Sequence, residues 1–165
     1  MAAQAPSAAD VLAQVGQNLA GSFLNFLAAR ADPSISSTVQ AAGANAPRLA
    51  ELQARLAQQH MALWAAMMAR DAGKDVAPVT RPEPGDRRFA GADWQASTHY
   101  DYLRQAYLIN ARFLREYVEA LDLDARIKGR IRFVARQMID AMSPANFAAT
   151  NPEALRLARE SQGAS

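Results

Sequence analysis

Apolar residues recur at helical spacing in four stretches of this chain, and each stretch predicts an amphipathic helix. The first runs from about Asp10 to Ala29 and the second from Pro47 to about Ala72. The third runs from Thr98 to Leu121 and the fourth from Asp124 to Met142. Because only two residues separate the last two helices, we expect them to form an antiparallel hairpin over residues 98–142.

The third and fourth predicted helices differ in what lies opposite their apolar faces. The third has an apolar face made of Tyr100, Leu103, Tyr107, Leu114, Val118 and Leu121. Opposite its apolar stripe, the fourth carries the basic residues Arg126, Lys128, Arg130, Arg132 and Arg136. A solvated polar face is the plainer interpretation of these charges, and contact with an anionic partner is the alternative. Phe133 lies among the arginines, which indicates a second contact surface there.

A segment with two prolines, SPANFAATNPEAL, follows the fourth helix at residues 143–155. Pro144 cannot continue that helix, because it lacks an amide proton and restricts the residue before it. Asn151 can cap a new helix that has Pro152 at its first position. The segment therefore predicts a corner and then a fifth helix, which ends at about Ser161.

Two segments interrupt the helical pattern. Residues 30–46 carry Pro, Gly and a Ser cluster without a period, and residues 73–85 hold three prolines and two glycines. We interpret the first as a loop and the second as a linker, so the N-terminal half is expected to be flexible. The predicted division is an N-terminal amphipathic helix and loop at 1–46, a helix at 47–72, the linker at 73–85 and a helical domain at 86–165.

The amino-acid composition also favours helices over strands. Much of the apolar content is alanine, the best helix former, whereas Val and Ile are few and no run alternates apolar and polar residues. We therefore predict an all-α fold of four to five amphipathic helices.

Charge and residue usage limit the classes of partner. The formal net charge of +2 is only weak evidence for a polyanionic partner, so no nucleic acid is expected. Of the 18 basic residues 16 are arginine, which suits phosphate recognition, but genomic base composition explains that bias at least as well. There is no cysteine for a disulfide or for thiol chemistry. No secretory signal and no run of about 18 apolar residues appears, so we expect a cytoplasmic chain without a transmembrane segment.

A search for catalytic motifs finds none. The sequence has no nucleophile elbow, no phosphate loop and no dinucleotide fingerprint. His60 and His99 lack a carboxylate or cysteine at metal-ligand spacing. We predict no catalytic residue, no cofactor and no metal, and therefore that this chain alone is not an enzyme.

Met61, Trp64, Met67 and Met68 cluster on the second predicted helix. They could fill a core or form an adaptable binding surface. Because two predicted flexible segments flank this helix, it has little core of its own to join. We therefore interpret the first two helices as interaction elements.

Three motifs carry a resemblance to a known family: DRRFAGADW, YDYLRQAYLINARFL and RQMIDAMSPANFAATNPEALRLARESQGAS. With them the chain resembles the N-terminal region of class I polyhydroxyalkanoate synthases, which polymerise (R)-3-hydroxyacyl-CoA into storage polyesters such as polyhydroxybutyrate and release CoA. The similarity covers roughly Gln53 to the last residue and is strongest from Asp86, whereas the first fifty residues resemble nothing in particular.

The resemblance implies that the region precedes an α/β-hydrolase domain whose catalytic cysteine, histidine and aspartate lie outside this chain. We therefore expect a fragment or an isolated domain of an acyltransferase. The implied roles are support of the active dimer, stability of the catalytic domain, and association with polymer granules or a phasin-like protein. The partners expected are the synthase catalytic domain and a second protomer. Interaction candidates are Leu12, Phe23, Phe26, Trp64, Met68, Arg87, Phe89, Trp94, Tyr107, Phe133 and Phe147.

Two other functions remain open on the residues alone. The chain could be a stand-alone phasin-like protein that coats granules through its amphipathic faces, although the DRRF and SPANF motifs favour the synthase. The other is a small basic nucleic-acid binder, an interpretation that only the arginines of the fourth predicted helix support.

Overall fold

The computed structural model describes residues 8–30 and 46–162, and within these ranges it is helical without a β-strand. The α-helices in them are α1 (Ala8–Arg30), α2 (Ala46–Asp71), α3 (Asp93–Ala96), α4 (Thr98–Ala120), α5 (Ala125–Ala141) and α6 (Pro152–Gln162). Two short 3-10 turns lie at Arg87–Phe89 and Pro144–Asn146. The predicted all-α class is confirmed. Most of the predicted loop at 30–46 lies outside the described residues.

The chain divides into two compact units, the first of which consists of the described part of Met1–His60 together with Asn110–Asp140. Its core is apolar: Phe23 of α1 meets Tyr117 of α4 edge to face, with ring centroids 6.3 Å apart. Burial raises the pKa of the Tyr117 phenol. At the edge of this core the Arg55 guanidinium donates to Glu116 at 2.7 Å. The other large apolar side chains buried here are Leu27, Leu52, Leu56, Phe113, Leu114, Val118, Leu121, Ile131, Met138 and Ile139.

Helices α4 and α5 form the predicted hairpin. Asp124 caps α5, since its Oδ1 accepts hydrogen bonds from the backbone amides of Arg126 at 2.9 Å and Ile127 at 3.1 Å. Near the end of α4, the Glu119 carboxylate accepts from Nε and Nη2 of Arg132 at 2.5 and 2.7 Å. These contacts close the short connection between the two helices.

The second unit consists of Met61–Ile109 and the described residues from Ala141 onward. Within it Gly73 lies just after the C-terminal end of α2, and its φ of +79° is a conformation that glycine adopts without strain. The amide of Lys74 donates to Ala69 O at 3.0 Å and that of Gly73 to Arg70 O at 2.9 Å. This pair of bonds is a Schellman motif, which satisfies the last carbonyls of the helix.

Residues 73–85, predicted as a linker, contain no helix but are fixed at their centre. The amides of Val79 and Thr80 donate to Oε1 of Gln105 in α4 at 2.8 and 3.2 Å. The segment ends in a turn in which Asp86 N donates to Glu83 O at 3.0 Å and Gly85 has φ +90°. The Pro-Gly pair is typical of a type II turn. The role of this segment as a domain boundary stays a prediction.

Candidate interaction site

The DRRF motif begins with an ion pair between Asp86 and Arg88. Asp86 Oδ1 accepts from the Arg88 amide at 3.1 Å, which caps the first 3-10 turn. The Arg88 side chain then donates through Nε to Oδ1 at 2.9 Å and through Nη2 to Oδ2 at 2.8 Å. Its Nη1 donates to the Tyr107 hydroxyl of α4 at 3.0 Å. The hydrogen bonds from Arg88 to Asp86 raise the pKa of the guanidinium well above its ordinary value.

Three of the candidate aromatic residues meet beside this ion pair. The Phe89 ring lies 5.0 Å from that of Trp94 and 5.6 Å from that of Tyr107, between centroids. The Arg88 guanidinium carbon lies 5.6 Å from the Phe89 and Tyr107 ring centres, within range of a cation–π contact. Phe89 and Trp94 are buried. We call these three rings with Arg88 the motif core, because they pack the second unit.

The corner at residues 143–155 is held by its own side chains. Thr150 Oγ1 donates to Pro144 O at 2.8 Å, and Asn151 Nδ2 donates to Ala145 O at 2.9 Å. Asn151 Oδ1 accepts from the amides of Glu153 and Ala154 at 3.1 and 3.3 Å, so the predicted N-cap of α6 is confirmed.

Helix α6 is tied to α3 by charge. Arg156 Nε donates to Asp93 Oδ2 at 3.1 Å, and Nη1 of the same guanidinium reaches Glu160 one turn later. Both carboxylates raise the pKa of Arg156. The motif core and the corner therefore belong to one packed unit that presents α6 largely to solvent.

An exposed apolar stripe runs along the solvent side of α2. Met61, Trp64 and Met68 lie three and four residues apart and share one face, and their residues are 50%, 63% and 58% exposed. Met67, in the same sequence cluster, is buried, so the cluster is divided between core and surface. No charged residue occurs between Arg55 and Arg70. We call Met61, Trp64 and Met68 the α2 stripe; its uncharged character favours an apolar partner.

The remaining candidates fall into three groups. Phe133 on α5 and Phe147 after the second 3-10 turn are 60% and 53% exposed, and Arg87 is exposed. Phe23 is buried and Phe26 is half-buried, both on α1. The side chain of Leu12 lies outside the described residues. Buried Phe23, Phe89 and Trp94 pack within their own units. Contact with a partner stays a prediction for all of the candidates.

Neither a metal centre nor a membrane span occurs in the described ranges. Within residues 8–30 and 46–162, no three His, Asp or Glu side chains gather as metal ligands would. His60 Nε2 pairs with Asn110 Oδ1 at 2.8 Å. Among the helices that the structure describes, none combines the length and the apolar character needed to cross a bilayer.

Comparison with known proteins agrees with the motifs. Residues 85–165 match the family model of the poly-beta-hydroxybutyrate polymerase N-terminus. These residues, which contain the motif core, the hairpin and the corner, are similar to that polymerase N-terminus.

Curated relatives extend the similarity toward the N-terminus. The chain is 48% identical over 118 residues to the poly(3-hydroxyalkanoate) polymerase subunit PhaC of Cupriavidus necator, covering 72% of this chain. It is 41% identical over 115 residues to the poly(3-hydroxyalkanoate) polymerase of Methylorubrum extorquens, covering 69% of this chain. In each case the match spans only 19% of the relative's length. No solved structure matches the chain.

Sequence reasoning missed one feature of this region, a buried polar cluster on α4. Asp101, Arg104 and Gln105 are buried, whereas Tyr100, Leu103 and Tyr107 of the predicted apolar face are only half-buried. Arg70 of α2 and Arg104 both donate to the Asp101 carboxylate, at 2.7 and 2.6 Å. The spacing of the three residues places them on one helical face, which was the available indication of a cluster. Polar side chains on a helix are, however, ordinarily expected to be exposed to solvent.

Proposed function

We propose that this chain is the non-catalytic N-terminal part of a poly(3-hydroxyalkanoate) polymerase. In this proposal the parent enzyme polymerises (R)-3-hydroxyacyl-CoA to a storage polyester and releases CoA. The proposal places the chemistry in a catalytic domain outside these 165 residues, because the match spans only 19% of the length of each relative. The family match over residues 85–165 supports the assignment.

The proposed roles are support of the polymerase dimer, stability of the catalytic domain, and association with granules or with a phasin-like protein. The observation that carries the association role is the α2 stripe, in which Trp64 and Met68 leave most of their apolar surface in water. Covering that surface would remove it from water at a gain of roughly 25 cal/mol per Å². A polyester or the apolar face of a granule protein offers a surface without charge, which suits a stripe without charge.

The proposed division of labour places dimer and catalytic-domain contacts in residues 86–161 and granule or phasin contacts in the first two helices. Exposed Met142 and Phe147 border the corner that leads into α6. The packed corner and its caps give these side chains a fixed support. They are thus suited to contact a neighbouring folded domain, while the α2 stripe contacts the granule.

The test uses a matched pair of substitutions in the full-length polymerase that contains this region. Met68→Gln and Met142→Gln make the same chemical change at residues that are 58% and 51% exposed. We expect Met68→Gln, and Trp64→Gln beside it, to reduce the polymerase fraction on purified granules about tenfold, with turnover unchanged. Met142→Gln is expected to lower the dimer fraction or turnover and to leave granule binding intact. Equal granule binding by all three variants and the wild type would refute the association role.

A second candidate, a stand-alone phasin-like granule coat, is favoured by the same stripe. The two functions separate when the 165-residue chain is mixed with a separately expressed catalytic domain. A supporting domain should co-elute with the catalytic domain and raise its turnover in trans. A granule coat should adsorb to granules and leave turnover as it was.

A further inference from the structure

Two arginines in the second unit share one carboxylate. Arg70 Nη1 donates to Asp101 Oδ2 at 2.7 Å, and Arg104 Nη2 donates to Asp101 Oδ1 at 2.6 Å. The side chains of Arg104 and Asp101 are 6% and 8% exposed. Two guanidinium charges therefore face a single carboxylate charge, and this largely buried group carries an excess of one positive charge.

Arg104 also has an unmet hydrogen-bonding capacity. Its Nε is buried, and no acceptor among the described residues pairs with it. A buried donor without a partner costs about 1–3 kcal/mol, and more when it is charged. By contrast, Arg70 has a further acceptor, the backbone carbonyl of Gln95. Arg104 is thus the residue of the pair that most needs another anion or acceptor.

A cleft of about 220 Å³ opens onto both arginines. Lys74 also lines it, just beyond the Schellman motif of α2, and its ammonium group pairs with no residue in the described ranges. Besides Asp101, the cleft is lined by one more carboxylate, that of Asp75, which is exposed. The three cations therefore outnumber the two carboxylates in the cleft.

We propose that this cleft binds a single oxyanion, namely a carboxylate or a phosphate group. Arginine presents a planar fork of donors that matches the oxygens of either group, and lysine adds a point charge at the mouth. The volume admits one such group with a few waters, since a water occupies about 30 Å³ in the liquid. The bound group would supply the second negative charge that Arg70 and Arg104 lack.

Opposing groups set a limit on the affinity. Asp101 and Asp75 repel an incoming anion, and the C-terminal end of α2 contributes a partial negative charge at this place. A small net excess of positive charge predicts millimolar rather than nanomolar binding of a free ion. A phosphate or carboxylate attached to a larger ligand would gain affinity from its other contacts.

The test is a titration of the ¹⁵N-labelled 165-residue chain with inorganic phosphate and, separately, with sodium acetate. Ionic strength is held constant with sodium chloride. We expect saturable shifts of the amide resonances of Arg70, Lys74, Gln95 and Arg104 with at least one of the two anions. The anion that saturates at the lower concentration identifies the group as phosphate or carboxylate.

Two variants decide whether the response belongs to the cleft. Lys74→Gln removes an exposed charge that pairs with none of the described residues, and it should weaken binding about fivefold without affecting the fold. Arg130→Gln on α5 removes the same charge from an exposed position outside the cleft and should leave the affinity unchanged. Shifts that never saturate, or equal affinities for wild type and Lys74→Gln, would overturn the proposal.

Discussion

The Arg88 side chain donates two hydrogen bonds to the Asp86 carboxylate, from Nε to Oδ1 at 2.9 Å and from Nη2 to Oδ2 at 2.8 Å. The third donor of the same guanidinium, Nη1, reaches the Tyr107 hydroxyl in α4 at 3.0 Å. One planar group therefore connects the start of the DRRF motif to the long helix of the hairpin. Only arginine provides three such donors in fixed directions.

Replacing Arg88 by lysine should destabilise the chain although the charge is kept. A lysine ammonium is a point charge and cannot donate to both Asp86 oxygens and the Tyr107 hydroxyl in this geometry. We expect a loss of about 1–2 kcal/mol in the free energy of unfolding, measured by urea denaturation followed by circular dichroism.

The neighbouring residue supplies the control for that experiment. Arg87 is exposed, and Arg87→Lys makes the same chemical change one position away. It should alter the free energy of unfolding by no more than about 0.5 kcal/mol. If both lysine variants unfold alike, the three-donor geometry is not what stabilises the motif.

Gln105 has an unusual position, because a fully buried amide fixes the segment at residues 73–85. Gln105→Leu conserves the approximate volume but leaves the amides of Val79 and Thr80 without their acceptor. We expect a loss of about 2–3 kcal/mol in the free energy of unfolding. Hydrogen exchange at the amides of Val79 and Thr80 should accelerate at the same time.

Gln58→Leu is the matched control, since Gln58 is exposed on α2. It should leave both the stability and the two exchange rates close to those of the wild type. Unchanged protection of the Val79 and Thr80 amides in Gln105→Leu would show that the segment does not depend on this side chain.

The helices could be predicted from the sequence because their signals are local. The third predicted helix, α4 of the structure, begins at Thr98 as predicted. Asn151 caps the last helix, as its place before Pro152 indicates. Periodicity and capping depend on residues within one turn of each other, so a single sequence contains them.

The roles of individual side chains could not be predicted in the same way. Trp64 lies on α2 and Trp94 on α3, yet Trp64 is 63% exposed and Trp94 only 1% exposed. That difference depends on which other segment packs on each helix. The burial of Asp101 likewise depends on Arg70, which is 31 residues away in sequence and brings its charge from another helix.

The ion pair between Glu119 and Arg132 predicts a weak dependence of stability on pH. Hydrogen bonds from Arg132 lower the pKa of Glu119 from its ordinary value of 4.5. A lowered folded-state pKa means that the pair stabilises the hairpin fully above pH 4.5, and that the contribution is lost as the pH falls through the folded-state value. Because both side chains are about half exposed, the effect should be small and reduced by salt.

Glu119→Gln measures this contribution. The melting temperature of the variant should be below that of the wild type at pH 7, and the two should converge as the solution is acidified. A difference that persists at a pH well below the folded-state pKa would assign the effect to packing rather than to charge.

Two glycines should respond in opposite ways to the same substitution. Gly129 lies inside α5, and Gly73 follows the end of α2 with φ +79°. A Cβ added at either glycine meets no atom within 4 Å beyond the neighbouring residues of the chain, so the two sites differ in backbone conformation alone. Gly129→Ala should stabilise the chain by about 0.5–1 kcal/mol, because alanine loses less conformational entropy in a helix. Gly73→Ala should destabilise it by about 1–2 kcal/mol, because its left-handed conformation brings Cβ against the following carbonyl.

Urea denaturation of the two variants beside the wild type measures the sign of each change in the free energy of unfolding. A stabilising Gly73→Ala would mean that α2 does not end in the Schellman motif in solution.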